Sequence, residues 1–301
     1  MRVGAVDLGT NSTRLLVADV EDGTVREVER GLRITRLGEA VDSRRKLLPV
    51  AIARVRNVLS DYRRELGRLG AERTLAVATS AVRDADNGEA FLGEVEWSYG
   101  FTTQLLSGVE EAELTYRGVA SGRSLDPGTM IVDIGGGSTE LILPDKHTSL
   151  DVGCVRLTER FGEDAAAAGA FVGRLLPDWP VDAAIGVAGT VTSLASLDLG
   201  LVDHDPERVH GHVLTAAAVD EQLRRLASLP LEERRRLPGL EPERAPVIVA
   251  GAAILREVLL RYGLGSIEAS EHDLLHGVAL AAAELPEPDE NAVPPGAYTC
   301  C

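Results

Sequence analysis

MIVDIGGGSTELIL, residues 130–143, is the stretch whose reading decides the fold. Met130, Ile131, Val132 and Ile134 make a short apolar run, Gly135, Gly136, Gly137, Ser138 and Thr139 interrupt it, and residues 140–143 resume the pattern. That order predicts a strand, a glycine turn and a second strand. Three glycines let the backbone bring its N–H groups close to a ligand, which is how a concave nest for phosphate oxygens is built. Asp133 at the strand end and Glu140 past the turn would be oxygen ligands for a hard cation. Read alone, the stretch is equally a hairpin whose glycines only shape the turn.

The same unit occurs near the start of the chain. DLGTNST from Asp7 matches DIGGGST from Asp133: an aspartate at a strand end, a glycine turn, a Ser-Thr pair, then a second strand. The distance between the copies is too long for a solenoid and predicts duplicated domains. Gly9, Thr10, Asn11 and Ser12 would then form one phosphate loop and Gly135 to Ser138 the other, facing each other across a cleft.

Working outward, residues 24–37 read as a third antiparallel strand, and residues 49–69 carry apolar side chains at helical spacing, with Gly70 as the stop. Residues 74–79 form a buried-type strand that runs into SAVRDA (80–85), followed by a helix over 87–97, a strand over 102–106 and a helix over 109–119. Residues 121–128 are polar, with glycine and proline, and read as a linker. The second half repeats the order: the hairpin, a third strand over 149–157, a strand over 184–188 opening into Gly189 and Thr190, helices over 215–229, 231–237 and 245–262, a short strand at 267–269 and a last helix over 271–284. The prediction is an α/β protein of two duplicated domains, residues 1–121 and 122–270, each a mixed sheet flanked by helices. Residues 285–301, rich in proline and acidic residues, are expected to be a disordered tail.

The totals narrow the function. The net charge of -16 argues against a nucleic-acid partner, whose phosphates require basic side chains. No apolar run approaches the roughly 20 residues that span a bilayer, and the chain opens on a strand pattern, so no membrane association and a cytoplasmic location are expected. Three cysteines give no disulfide framework, and six histidines suggest no metal constellation. Lys46 and Lys146 are the only lysines, and no GxxxxGK[ST] loop occurs. Cys154 and Arg160 have the CxxxxxR spacing of cysteine-dependent phosphatases, but no glycine lies between them and the segment alternates like a strand, so a thiolate mechanism is set aside.

Six motifs in order, DLGTNST, ATSAVRDA (78–85), LSGVEEA (106–112), DIGGGSTEL, GCVRLTERF (153–161) and VAGTVTSL (187–194), resemble the exopolyphosphatase and guanosine pentaphosphate phosphatase family. The resemblance covers about residues 1–284 and implies the actin-like (ribonuclease-H-like) ATPase superfamily fold, two domains around a cleft, with the last helix returning to the first domain. It implies hydrolysis of a terminal phosphate with Mg2+ or another divalent cation. Glu111 matches the carboxylate that activates water; by spacing alone Glu110 is a rival, and helix geometry lets only one of them face the cleft. Asp133 and Glu140 match positions near the metal and the reacting phosphate, and Asp7 is the counterpart of Asp133, so all three are candidate metal ligands. Arg83 is a candidate guanidinium fork on phosphate oxygens, or else a surface arginine near a helix start. Thr190 would meet phosphate at a helix N-terminus, or else serve as an N-cap. The expected activity is release of orthophosphate from polyphosphate. The alternatives are 5′-phosphate hydrolysis of guanosine pentaphosphate, a kinase of the same superfamily, or a non-catalytic guanosine polyphosphate binder. A homodimer is an expectation of the resemblance alone.

Overall fold

The computed structural model describes residues 1–286; residues 287–301, most of the expected tail, lie outside the described residues. The chain divides into two compact units, Met1–Arg123 resuming at Leu274, and Ser124–Asp273. The boundary falls within the polar segment 121–128.

The first unit runs β1 (Arg2–Leu8), β2 (Ser12–Glu21), β3 (Thr24–Ile34), α1 (Val41–Arg44), α2 (Pro49–Leu69), β4 (Arg73–Ala78), α3 (Ser80–Arg83), α4 (Gly88–Tyr99), β5 (Thr102–Leu105) and α5 (Gly108–Ala120). The second runs β6 (Thr129–Ile134), β7 (Thr139–Leu143), β8 (Lys146–Leu150), α6 (Cys154–Phe161), α7 (Ala165–Gly173), β9 (Ala183–Val187), α8 (Ala188–Asp198), α9 (Pro206–Val209), β10 (Val213–Thr215), α10 (Ala216–Ser228), α11 (Leu231–Arg234), α12 (Ile248–Tyr262) and β11 (Ser266–Ala269). The chain then re-enters the first unit as α13 (Leu274–Glu284), which packs on α5 and β1.

β1 is apolar almost throughout because helices cover both of its faces. Val6 and Leu8 join the core under α2 and α4, while Val3 and Ala5 face α5 and α13. Local signals set the helix ends: α2 opens on a proline in its first turn and closes on Gly70 in the left-handed region.

The duplication is visible in the strand order. The first sheet is β3-β2-β1-β4-β5, and the second, read from its other edge, is β8-β7-β6-β9-β11-β10. In each, three antiparallel strands come first and the next strand pairs parallel to the innermost of them. The two mixed sheets, each flanked by helices, thus repeat one strand plan, as the duplicated domains require.

One element corrects the reading above. The third strand of the second unit is β8, which ends at Leu150, and the last part of the expected strand over 149–157 is the start of helix α6. Val155 and Leu157 alternate, but Cys154, Leu157 and Phe161 also recur at helical spacing, so the pattern fits both periods. Among the described residues no helix is long and apolar enough to cross a membrane.

Candidate active site

In each unit the motifs converge at the carboxyl ends of adjacent parallel strands, where ligands of open α/β sheets bind. Asp7 sits beside Val77 and Leu8 beside Ala78, so the loop after β1 and the turn after β4 emerge together; β5 in parallel with β4 brings Glu111 to the same edge. In the second unit Asp133 sits beside Val187, so the glycine loop after β6 emerges next to the start of α8.

The glycine loop of the second unit has its carbonyls turned inward. Gly135 accepts from the N–H of Cys154 (3.0 Å), and Gly136 from those of Val155 (2.9 Å) and Arg156 (3.2 Å). The Arg156 guanidinium reaches the Gly137 carbonyl at 2.8 Å. Among the described residues no backbone carbonyl accepts from the N–H of Gly136 or Gly137. A loop whose acceptors are satisfied on one side while donors remain on the other suits an anion. Gly153 makes this possible: a Cβ there would lie 2.3 Å from the Gly136 carbonyl.

The first loop is held the same way. Gly38 N–H donates to Thr10 O (2.8 Å), and those of Thr35 and Arg36 donate to Asn11 O (3.0 and 2.9 Å). The Thr10 and Ser80 hydroxyls are 2.9 Å apart, tying the loop to the start of α3. Asn11 is buried, and its Nδ2 has no partner among the described residues.

The carboxylates show where the duplication has diverged. Asp7 pairs across the sheet with Arg14, whereas Asp133 pairs with Glu140. In the first unit the guanidinium meets the acid, with Nε and Nη2 each 2.8 Å from Asp7 Oδ2. In the second, two carboxylates stand directly opposite each other, Asp133 6% and Glu140 1% exposed. Glu140 Oε1 accepts from Ser149 Oγ at 2.7 Å. Like charges facing each other across strands destabilise the pair unless a cation or a proton intervenes.

Glu110 and Glu111 have separate environments. Ser107 caps α5 in a capping box: its Oγ accepts from Glu110 N–H (3.2 Å), and Glu110 Oε2 accepts from Ser107 N–H (2.8 Å). These bonds, the backbone one foremost, hold the Glu110 carboxyl below its ordinary range. Glu111 points inward at 7% exposure, and Arg83 Nη1 stands 3.5 Å from its Oε2 while donating to Leu106 O at 2.7 Å. Arg83 is therefore part-buried beside Glu111.

Thr190 is not an N-cap. The cap of α8 is Val187, with no side-chain bond, and Thr190 is buried against α12. A Cβ on Gly251 would come within 2.6 Å of its Oγ1, so the small residue there serves close packing. Ala188 opens the helix at φ 64, a conformation a non-glycine residue seldom adopts and one that clusters at functional sites. Over this end lies a residue the motifs did not reveal: the Arg244 guanidinium fills the space a Cβ on Gly189 would need, with Nη1 1.8 Å from it. Its Nε holds Glu241 Oε2 at 2.6 Å. A guanidinium on the positive end of a helix is repelled unless an anion joins them. Cys154 is buried nearby, and burial pushes its thiol up despite Arg244 and the Thr190 hydroxyl. Gly153, Arg156 and Arg244 escaped the sequence reading because their contacts are long-range; the only local hint was a glycine at each crowded point.

Among the described residues no group of three or more His, Cys, Asp or Glu side chains is arranged for a metal. The Asp133 and Glu140 pair nevertheless suits magnesium, which keeps most of its waters and takes one or two carboxylates. Asp7, with Oδ2 on Arg14, suits it less.

Comparison with known proteins agrees with this geometry. Residues 16–285 match the Ppx/GppA phosphatase family. The chain is 38% identical to exopolyphosphatase 2 of Mycobacterium tuberculosis, over 94% of this chain and 98% of that protein. It is 31% identical to a guanosine-5′-triphosphate,3′-diphosphate pyrophosphatase of Aeromonas salmonicida, over 83% of this chain but 53% of that longer protein. The crystal structure of the Aquifex aeolicus Ppx/GppA family member superposes with a TM-score of 0.78 at 31% identity, over 94% of this chain and 98% of that one. With its paired glycine loops, its buried acids at the strand ends and this match over most of its length, the chain belongs to the Ppx/GppA phosphatase family.

Proposed function

We propose that the protein is a magnesium-dependent exopolyphosphatase that hydrolyses the terminal phosphoanhydride of inorganic polyphosphate to orthophosphate. The observation that carries the reading is the Asp133 and Glu140 pair, two buried carboxylates in direct register beside a nest of outward N–H groups. Asp133 and Glu140 hold the cation, which when bound neutralises phosphate charge. In the second unit the N–H groups of Gly136 and Gly137 hold non-bridging oxygens, and in the first those of Thr10 and Asn11, between the Gly9 and Ser12 ends of the loop, do the same, assisted by the Asn11 amide. Arg83 offers its guanidinium to phosphate, and Arg244 with Thr190 at the start of α8 offers a further oxyanion position. Glu111 takes the proton from the attacking water, kept apart from the capping role that occupies Glu110.

The exopolyphosphatase relative, matched over nearly its whole length, supports polyphosphate as substrate. The pyrophosphatase relative supports guanosine pentaphosphate as the alternative. Orthophosphate release from tripolyphosphate, long-chain polyphosphate and guanosine pentaphosphate, measured side by side with magnesium and with chelator, tests both. The expected result is release from polyphosphate that chelation abolishes. Release from pentaphosphate alone overturns the substrate, and undiminished release under chelation overturns the metal.

A further inference from the structure

Arg234, the last residue of α11, is 0% exposed, and no other arginine or lysine among the described residues is buried. A guanidinium is buried at large cost unless its donors are used. Here Nε donates to Leu229 O at 3.1 Å, Nη1 to Ala245 O at 3.4 Å, and Nη2 pairs with the Glu163 carboxylate. Leu229 closes α10, Glu163 lies between α6 and α7, and Ala245 directly follows Arg244. The fork thus ties three segments together beneath the residue that reaches over Gly189.

The stretch between α11 and α12 contains no helix or strand. The polar contacts of Arg244 itself are local: its N–H donates to Glu241 O (2.9 Å), its carbonyl accepts from Val247 and Ile248 (3.0 and 3.1 Å), and its side chain holds Glu241. Through Ile248 the turn continues into α12, which fixes its downstream side, while its upstream side depends on longer-range bonds. Gly239 N–H to Val202 O (2.8 Å) anchors the stretch further upstream, and Arg234 anchors it at Ala245. The geometry points to Arg234 as a positioning residue that, through the Ala245 carbonyl, fixes the turn presenting Arg244 at the start of α8 and so sets the affinity for phosphate oxygens without touching substrate. The inference rests on the phosphate reading of the α8 end.

The test is calorimetric binding of tripolyphosphate with magnesium to the full chain, alongside steady-state turnover, for Arg244→Met, Arg234→Lys, Glu163→Gln and each of the last two combined with Arg244→Met. Losing a charge-assisted bond to the anion should raise Kd about tenfold in Arg244→Met. Lysine keeps the charge of Arg234 but not its fork, so Arg234→Lys should raise Kd and KM several-fold, with the effect on KM rather than kcat. Combined with Arg244→Met it should add nothing to Kd, because the clamp acts through the residue already removed. Equal fold-changes in both backgrounds, or a lowered melting temperature with Kd unaltered, would overturn the proposal. Glu163→Gln, whose carboxylate lies at the surface, runs the same cycle if Arg234→Lys does not fold. Should Arg244→Met leave Kd unchanged, the phosphate reading of the α8 end fails; should it weaken binding while Arg234→Lys and Glu163→Gln do not, only the clamp fails.

Discussion

Two adjacent glutamates show how little sequence separation matters to function. Glu110 is consumed by the capping box, while Glu111, one residue on, turns inward toward Arg83. The expected outcome follows. Glu111→Gln lowers kcat by about 10²- to 10⁴-fold, the range of a general base, with Kd for tripolyphosphate retained. Glu110→Ala instead costs about 1 kcal/mol of stability through the lost cap and leaves turnover near normal. Phosphate-release kinetics and thermal melts on both variants check this, and a Glu110→Ala enzyme that has lost its turnover would reverse the assignment. Arg14 carries the same lesson: it stands at the position Glu140 holds in the second loop, so one substitution within a repeated motif changes an acid pair into an ion pair.

At the scale of elements, the glycine loop depends on α6 more than on its own sequence. The loop carbonyls are spent on the first turn of α6, and that turn approaches closely enough only because residue 153 lacks a side chain. Gly153→Ala should therefore cost about 1–3 kcal/mol by overpacking and weaken tripolyphosphate binding together with stability. Gly67→Ala is the contrast. It lies inside α2 with nothing within 4 Å of its added Cβ, and alanine there should stabilise by about 0.5–1 kcal/mol without affecting binding. Melting and calorimetry on the two variants would refute the account if both behaved alike. Sequence periodicity missed α6 because a short apolar alternation satisfies both a strand and a helix; the close approach of Gly153 to the loop settles which one forms.

Over the whole molecule, each unit carries a tyrosine whose hydroxyl donates to a backbone carbonyl, buried for Tyr62 and part-buried for Tyr262. Tyr62 donates to Thr13 O at 3.0 Å and Tyr262 to Pro177 O at 3.1 Å. Burial raises both, Tyr262 to about 12. A raised folded-state value means the stability is fully present below the unfolded value of about 10 and is lost as pH climbs through the folded one. The melting temperature should thus hold to about pH 9 and fall steeply above about pH 10, and Tyr262→Phe should make that fall shallower. An unchanged alkaline slope in the variant would show that Tyr262 is not the group responsible.

The sequence by itself determined the duplicated plan, the two glycine loops and the hairpin that carries Asp133 and Glu140, because glycine turns and strand alternation are local physics. Tertiary structure alone decided the rest. It separated Glu111 from Glu110, gave Asp7 to Arg14, placed Arg244 over Gly189 and buried Arg234 beneath it. Those choices depend on which distant backbone a side chain meets, and a distance across the fold leaves no periodicity in the chain that encodes it.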